Sequence, residues 1–172
     1  MSSDTVVQKT AIEHLSLVPS RGHTCSFCLV TPENGFNTVW EEAEFVAFED
    51  RNPAAVHHVL VIPRRHIVSV RTLCRSDVHM LRRMEEIGHL ILDQRDVRAH
   101  RRRMGFHIPP FNSVDHLHLH VQALPYKSVM RGMKYFVAPG CYGKEKGFGW
   151  FAEIGQTIRI LENGGHVGVL SC

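Results

Sequence analysis

Three imidazoles stand at a spacing of two in His116-Leu117-His118-Leu119-His120-Val121. Side chains alternate faces along an extended strand, so this spacing sets the rings on one face, about 6.6 Å from each to the next, with Leu117, Leu119 and Val121 on the other. A helix would scatter them. Crowded imidazoles disfavour one another's protonated forms, so at neutral pH at least one stays neutral and keeps a free ring nitrogen. Such a nitrogen is a nucleophile or a base. A single His-x-His would suggest a solvated face or a metal-binding tract; three in register on a buried scaffold suggest an active-site row.

The neighbouring segments supply that scaffold. Val39 to Phe48 carries a strand pair interrupted by acidic residues, and Val59 to Ile62 is an apolar strand stopped by Pro63. From Asp77, a helix N-cap by type, Val78, Leu81, Met84, Gly88 and Ile91 recur at helical steps, while Arg82, Arg83, Glu85 and Glu86 face outward. Arg101 to Phe106 and Leu117 to Leu124 read as two further strands. A mostly antiparallel sheet with one long packed helix is an α+β arrangement. After Pro125 the cations Lys127, Arg131, Lys134, Lys144 and Lys146 are interspersed with glycines, which reads as a mobile loop leading to a short amphipathic helix near Phe151 to Leu161. Residues 1–21 read as an arm ending in Pro19-Ser20-Arg21-Gly22.

Composition narrows the class. The chain has 172 residues, enough for one core, and a formal charge of +3, too mild to argue for nucleic acid by itself. Five cysteines, an odd number, do not make a secreted disulfide framework and point to a reducing interior, the cytoplasm, with the nucleus left open. Met1 to Thr10 lacks a basic stretch followed by an apolar one, and no run of eighteen apolar residues occurs, so neither export nor a membrane partner is expected.

With Arg103-Met104-Gly105-Phe106-His107 and Phe111-Asn112-Ser113-Val114-Asp115 ahead of it, the triple-histidine run resembles the signature of the histidine-triad (HIT) superfamily, His-x-His-x-His followed by two mostly hydrophobic residues. The second of these is Gln122 here, a small departure. The resemblance spans residues 22–126: Cys25-Ser26-Phe27-Cys28 is similar to the family's entry segment, Val46 to Asp50 to its ribose-side strand, and His58 to Ile67 to its central strand. Gly105 to Phe111 resembles the approach to the triad in the third and fourth members of the Hint branch; aprataxin has a similar approach and is the near rival. Residues 127–172 would then be a loop and a short C-terminal helix.

The resemblance implies the HIT-like α+β fold and phosphorus chemistry. His118 matches the nucleophile that forms a nucleotidyl-histidine intermediate, and His120 the group that contacts the phosphate or protonates the leaving group; His58 and His116 complete the row. Ser113 would hydrogen-bond near the leaving group, Asp50 would hold the ribose hydroxyls, and Phe27 and Val46 would wall the base pocket. The common Hint proteins carry asparagine where His107 stands and a longer loop through Asn112; both residues are expected to contact the nucleotide, with an altered leaving-group preference. Cys25-x-x-Cys28 alone is compatible with zinc, thiol chemistry or plain burial. The resemblance implies a closed structural zinc on Cys25, Cys28, His66 and His116, and no cofactor for turnover.

The activity so implied is that of an adenosine 5'-monophosphoramidase releasing AMP, in a homodimer built around the helix. Cleavage of adenylyl sulfate, removal of AMP from DNA ends and non-catalytic purine-nucleotide binding are the alternatives. Arg98, Arg101, Arg102 and Arg103 favour DNA, whereas a zinc-finger spacing past Val121 is lacking.

Overall fold

The computed structural model describes residues 25–172, so the expected arm at residues 1–21 lies outside the described residues. Six strands form one antiparallel sheet: β1 Thr38–Glu41, β2 Phe45–Glu49, β3 His58–Pro63, β4 Arg102–His107, β5 Leu119–Ala123 and β6 Phe151–Glu153, in the order β1-β2-β3-β5-β4-β6. Three α-helices accompany them: α1 Val78–Asp93, α2 Val129–Met133 and α3 Ile154–Glu162. The mixed α and β layer matches the expected class.

Alternation gives the sheet two distinct faces. Phe45, Ala47, Val59, Val61, Met104, Phe106, Leu119 and Val121 point to one face and are buried beneath α1 and α3. Helix α1 contributes Leu81, Met84, Ile87, Ile91 and Leu92, each worth about 1.5–3 kcal/mol when fully buried. Gly88 lets the helix sit close: a Cβ there would come within 2.9 Å of Met104 Sδ. The opposite face carries Val46, Phe48, Leu60 and Ile62 as a smaller apolar cluster, and beside it the histidines. In register, His120 stands between Leu60 and Gly105, and His58 opposite Gln122.

Several boundaries differ from the sequence expectation. Asp77 precedes α1, but its carboxylate accepts from the Cys74 amide at 3.0 Å, closing a 3-10 turn over Arg75–Asp77 instead of capping the helix. The ladder of the triad strand begins at Leu119; ahead of it the Leu117 amide donates to the Ile67 carbonyl at 2.6 Å and the His116 carbonyl accepts from the His118 ring. The expected terminal helix starts only at Ile154, where Glu153 and Gln156 form a reciprocal capping box; Phe151 to Glu153 pair with β4 as the sixth strand. The stretch read as a mobile loop holds buried Tyr135, Ala138 and Lys146, and Ile154, Ile158, Ile160, Leu161 and Val167 join the main core. The segment after residue 126 is thus woven into the same sheet and core.

Candidate active site

Backbone groups dictate the state of each imidazole. His118 Nδ1 lies 2.6 Å from the His116 carbonyl, which only accepts, so Nδ1 carries the proton and Nε2 keeps its lone pair. The ring is 6% exposed, and burial holds its pKa below the ordinary imidazole value, keeping it neutral. A neutral, oriented imidazole with a free Nε2 is a nucleophile.

The other rings form a directed chain. The Ala54 amide donates to His58 Nδ1 at 3.1 Å, which leaves the proton on His58 Nε2, 2.9 Å from His120 Nδ1. His120 must then be protonated on Nε2, which lies 3.0 Å from His107 Nδ1; His107 in turn donates from Nε2 to the Lys134 carbonyl at 3.0 Å. An amide at one end and a carbonyl at the other demand the same set of tautomers, so the chain is consistent from both ends. Burial lowers the pKa of all three rings, to about 4 for His58 and His107 and well below the ordinary value for His120, where the neighbouring imidazoles add to the effect. Asp50 Oδ2, 3.3 Å from His58 Nε2, opposes the shift at His58.

Aromatic residues seal this row. The Tyr135 ring packs 5.5 Å from His58, 5.0 Å from His107 and 5.3 Å from His120, and Phe151 lies 5.3 Å from His107. Gly105 makes room for Phe151, since a Cβ there would fall 2.6 Å from the ring. Tyr135 escaped the sequence reading, and Phe151 was read only as the start of a helix; their signal was the aromatic content of a stretch otherwise rich in lysine and glycine. Gln122, the departure from the hydrophobic pattern, is buried with its amide 3.2 Å from His58 Nε2 and 3.2 Å from the Tyr126 hydroxyl.

Two cavities meet at the row. One, of about 530 Å³, is lined by Phe27, Phe36, Phe48, Leu60, Asp50 and His118, a size and composition suited to a nucleoside. The other, of about 410 Å³, lies against His107 and His120; Asp50, Asn52, Ser113 and His120 border both. A larger cleft of about 620 Å³ beside Glu42, Arg65 and Arg83 contains no nucleophile of the row.

Not every expected residue reaches these cavities. Phe27 lines the first and meets His118 edge-on at 5.5 Å, whereas Val46 is buried behind it among Phe48, Leu60 and Ile62 and does not line it. Asn112 spends its amide on the Val114 carbonyl at 3.1 Å and Asp115 at 2.9 Å, and so fastens the loop before the triad without bordering either cavity. His107 borders the second cavity only. His116 is turned away from the row: Nε2 donates to the Pro63 carbonyl at 2.9 Å, and Nδ1 faces Cys25 and Cys28.

That second cluster is a donor set. Ligand atoms of Cys25, Cys28, His66 and His116 lie within 4.8 Å of one another. Sulfur and nitrogen on a tetrahedral zinc stand about 3.5 Å apart, from bond lengths of about 2.3 and 2.0–2.1 Å; the sulfur to nitrogen distances here are 3.5, 3.6 and 3.3 Å. The residues present fit a closed Cys₂His₂ site. A second trio, Asp50, His58 and His120, is also compact, but its two ring nitrogens are bonded to each other.

The fold recurs in known proteins. The family model described as "Scavenger mRNA decapping enzyme C-term binding" matches residues 24–136. The chain is 40% identical over 150 residues to the adenosine 5'-monophosphoramidase HINT3 of Danio rerio, covering 82% of this chain and 84% of that one. It is 43% identical over 114 residues to the bifunctional adenosine 5'-phosphosulfate phosphorylase/adenylylsulfatase HINT4 of Arabidopsis thaliana, covering 64% and 77%. An aprataxin matches more weakly, at 26%. Among solved structures, a HIT family hydrolase from Clostridium thermocellum superimposes with a TM-score of 0.55 at 25% identity, covering 60% of this chain and 93% of that one. With these relatives and a row of imidazoles over a six-stranded sheet, the chain belongs to the histidine-triad superfamily.

Proposed function

We propose that the protein is an adenosine 5'-monophosphoramidase that releases AMP through a nucleotidyl-histidine intermediate. The observation that carries this reading is the His118 ring, locked by the His116 carbonyl with its free nitrogen beside a nucleoside-sized cavity. The named activity of the HINT3 relative supports it.

In this scheme the base lies between Phe27, Phe36, Phe48 and Leu60, and the Asp50 carboxylate accepts from the ribose hydroxyls. His118 Nε2 attacks phosphorus, the bond to the leaving group breaks, and water then cleaves the phosphorus–nitrogen adduct. Splitting one displacement into two lowers each barrier. The free row is neutral, but a bound phosphate favours imidazolium beside it, so binding itself charges the row with the proton an amine must receive. General-acid help of this kind is worth about 10²–10⁴ in rate. No cofactor takes part in the steps.

A second reading, cleavage of adenylyl sulfate, is favoured by the 43% identity to HINT4. Removal of AMP from DNA is less favoured: Arg98 and Arg101 border a different cavity with His57 and Leu124, and Arg102 is tied to Asp93 and the Val97 carbonyl. Structural zinc on Cys25, Cys28, His66 and His116 belongs to the same proposal, on the strength of the donor geometry. So do a homodimer and a cytoplasmic location, the latter supported by five cysteines that form no disulfide among the described residues. The deciding assay is AMP release from adenosine phosphoramidate and adenylyl sulfate; turnover of the first supports the proposal, and binding of AMP without turnover of either would replace it with a nucleotide-binding module.

A further inference from the structure

The second cavity carries charges that cleavage of a bare phosphoramidate does not use. It is walled by Phe111, Trp150 and Tyr135 and rimmed by Arg131 and Lys134; all but Phe111 come from the segment after residue 126. Arg131 is anchored on neutral oxygens, Nη1 lying 2.8 Å from Asn52 Oδ1 and 3.1 Å from the Pro53 carbonyl. The backbone of Lys134 is fixed at the rim, where its carbonyl accepts from His107 at 3.0 Å and from Trp150 Nε1 at 3.1 Å, while its side chain is exposed. Among the described residues neither cation has an ion-pair partner. Asp50 is the carboxylate that borders this cavity, with Oδ1 taking the Asn52 amide at 2.7 Å and Oδ2 facing His58, so one negative charge stands against the two cations. Two cations without ion-pair partners therefore border a cavity that adjoins the His118 cavity through Asp50, Asn52, Ser113 and His120.

We propose that this cavity is a leaving-group subsite selective for leaving groups that carry a negative charge beyond the scissile atom, such as a sulfonate, carboxylate or phosphate, and that Arg131 and Lys134 determine this specificity. The inference rests on the phosphoramidase reading and deepens it. In the first step the His118 Nε2 lone pair forms a bond to phosphorus and the phosphorus–nitrogen bond to the leaving group breaks. The bonding pair stays on the amine nitrogen, which takes a proton held by the imidazole row. Water then bonds to phosphorus, the pair of the adduct returns to Nε2, and the water proton restores the row. A sulfate would leave with the pair on oxygen and need no proton. In either case the distal anion is stabilised by the two cations, and a distal cation is repelled.

The test uses AMP joined through phosphorus to the amine of taurine, propylamine or ethylenediamine, which present an anionic, neutral or cationic tail on the same kind of bond. Comparing each variant with wild type on one substrate cancels differences in amine basicity. Lys134→Glu, at an exposed side chain without a hydrogen bond, is expected to lower the ratio of kcat/KM for the taurine over the ethylenediamine compound by roughly tenfold or more. Arg131→Gln should lower it too, and Arg131→Lys should retain it. Ratios within about twofold of wild type for Lys134→Glu and Arg131→Gln, with all three compounds turned over, would overturn the inference alone. Failure of wild type to release AMP from any of them would overturn the phosphoramidase reading and the inference with it.

Discussion

At the scale of single residues the protein's chemistry rests on proton positions set by backbone atoms. Replacing His118 with alanine removes, among the described residues, the only imidazole whose free nitrogen borders the nucleoside cavity without being hydrogen-bonded to another ring, and AMP release should fall by on the order of 10³-fold or more with AMP binding retained. Steady-state turnover and calorimetry at equal protein concentration check this. The lowered pKa values of His118, His58 and His107 predict that kcat/KM, which reports free-enzyme ionisations, holds at acidities where an ordinary imidazole, near 6.5, would already be charged. Stability follows with a definite sign. His58 and His107 titrate near 4 in the folded protein, below their unfolded value, so the unfolded chain binds protons first. Their contribution is complete above about pH 6.5 and declines as pH falls towards 4, by on the order of 1 kcal/mol per pH unit for each ring. Thermal melts between pH 7 and 4 should show Tm dropping in that window; a flat profile would contradict the buried neutral row. That His118 and His120 share a face could be read from spacing, and their roles were implied by the resemblance, but their tautomers could not be read, because they depend on Ala54 and Lys134, residues that carry no chemical signature of their own.

At the scale of elements, the strands and α1 were legible because their apolar residues repeat at periods of two and of three to four. Strand β6 was not: three residues between Trp150 and Ile154 are too few to show a period. Its placement depends on Gly105, which vacates the site face opposite His120, so that Phe151 can lie against His107. Gly105→Val should therefore lower stability by about 1–3 kcal/mol through overpacking, read as a drop in denaturation midpoint, and reduce turnover together with it. Phe151→Ala leaves a cavity under the same rings and should cost about 3–5 kcal/mol. The role assigned to Val46 failed for a related reason: alternation places it on the right face, yet Phe48 and Leu60 on that face line the cavity instead.

At the scale of the whole molecule, distant segments converge on two centres. The entry segment and the turn after β3 bring Cys25, Cys28 and His66 to His116, and the segment after residue 126 brings Tyr135, Arg131 and Lys134 to the far side of the row. Zinc should accordingly bind with a stoichiometry of about one per chain, and chelation, or Cys28→Ser, should lower Tm while leaving the neutral His118 in place; elemental analysis and melting with and without chelator check this. The likeness over residues 22–126 made the first centre legible from sequence. The second depended on a region whose composition resembled a loop. The central claim, that His118 is the nucleophile, is tested most directly by mixing enzyme with excess adenosine phosphoramidate, stopping the reaction with base within one turnover, and mapping adducts by peptide mass spectrometry. An adenylate on the peptide at His118, absent from His118→Ala, is the predicted result; AMP released with no adduct, or an adduct on another residue, would contradict the account.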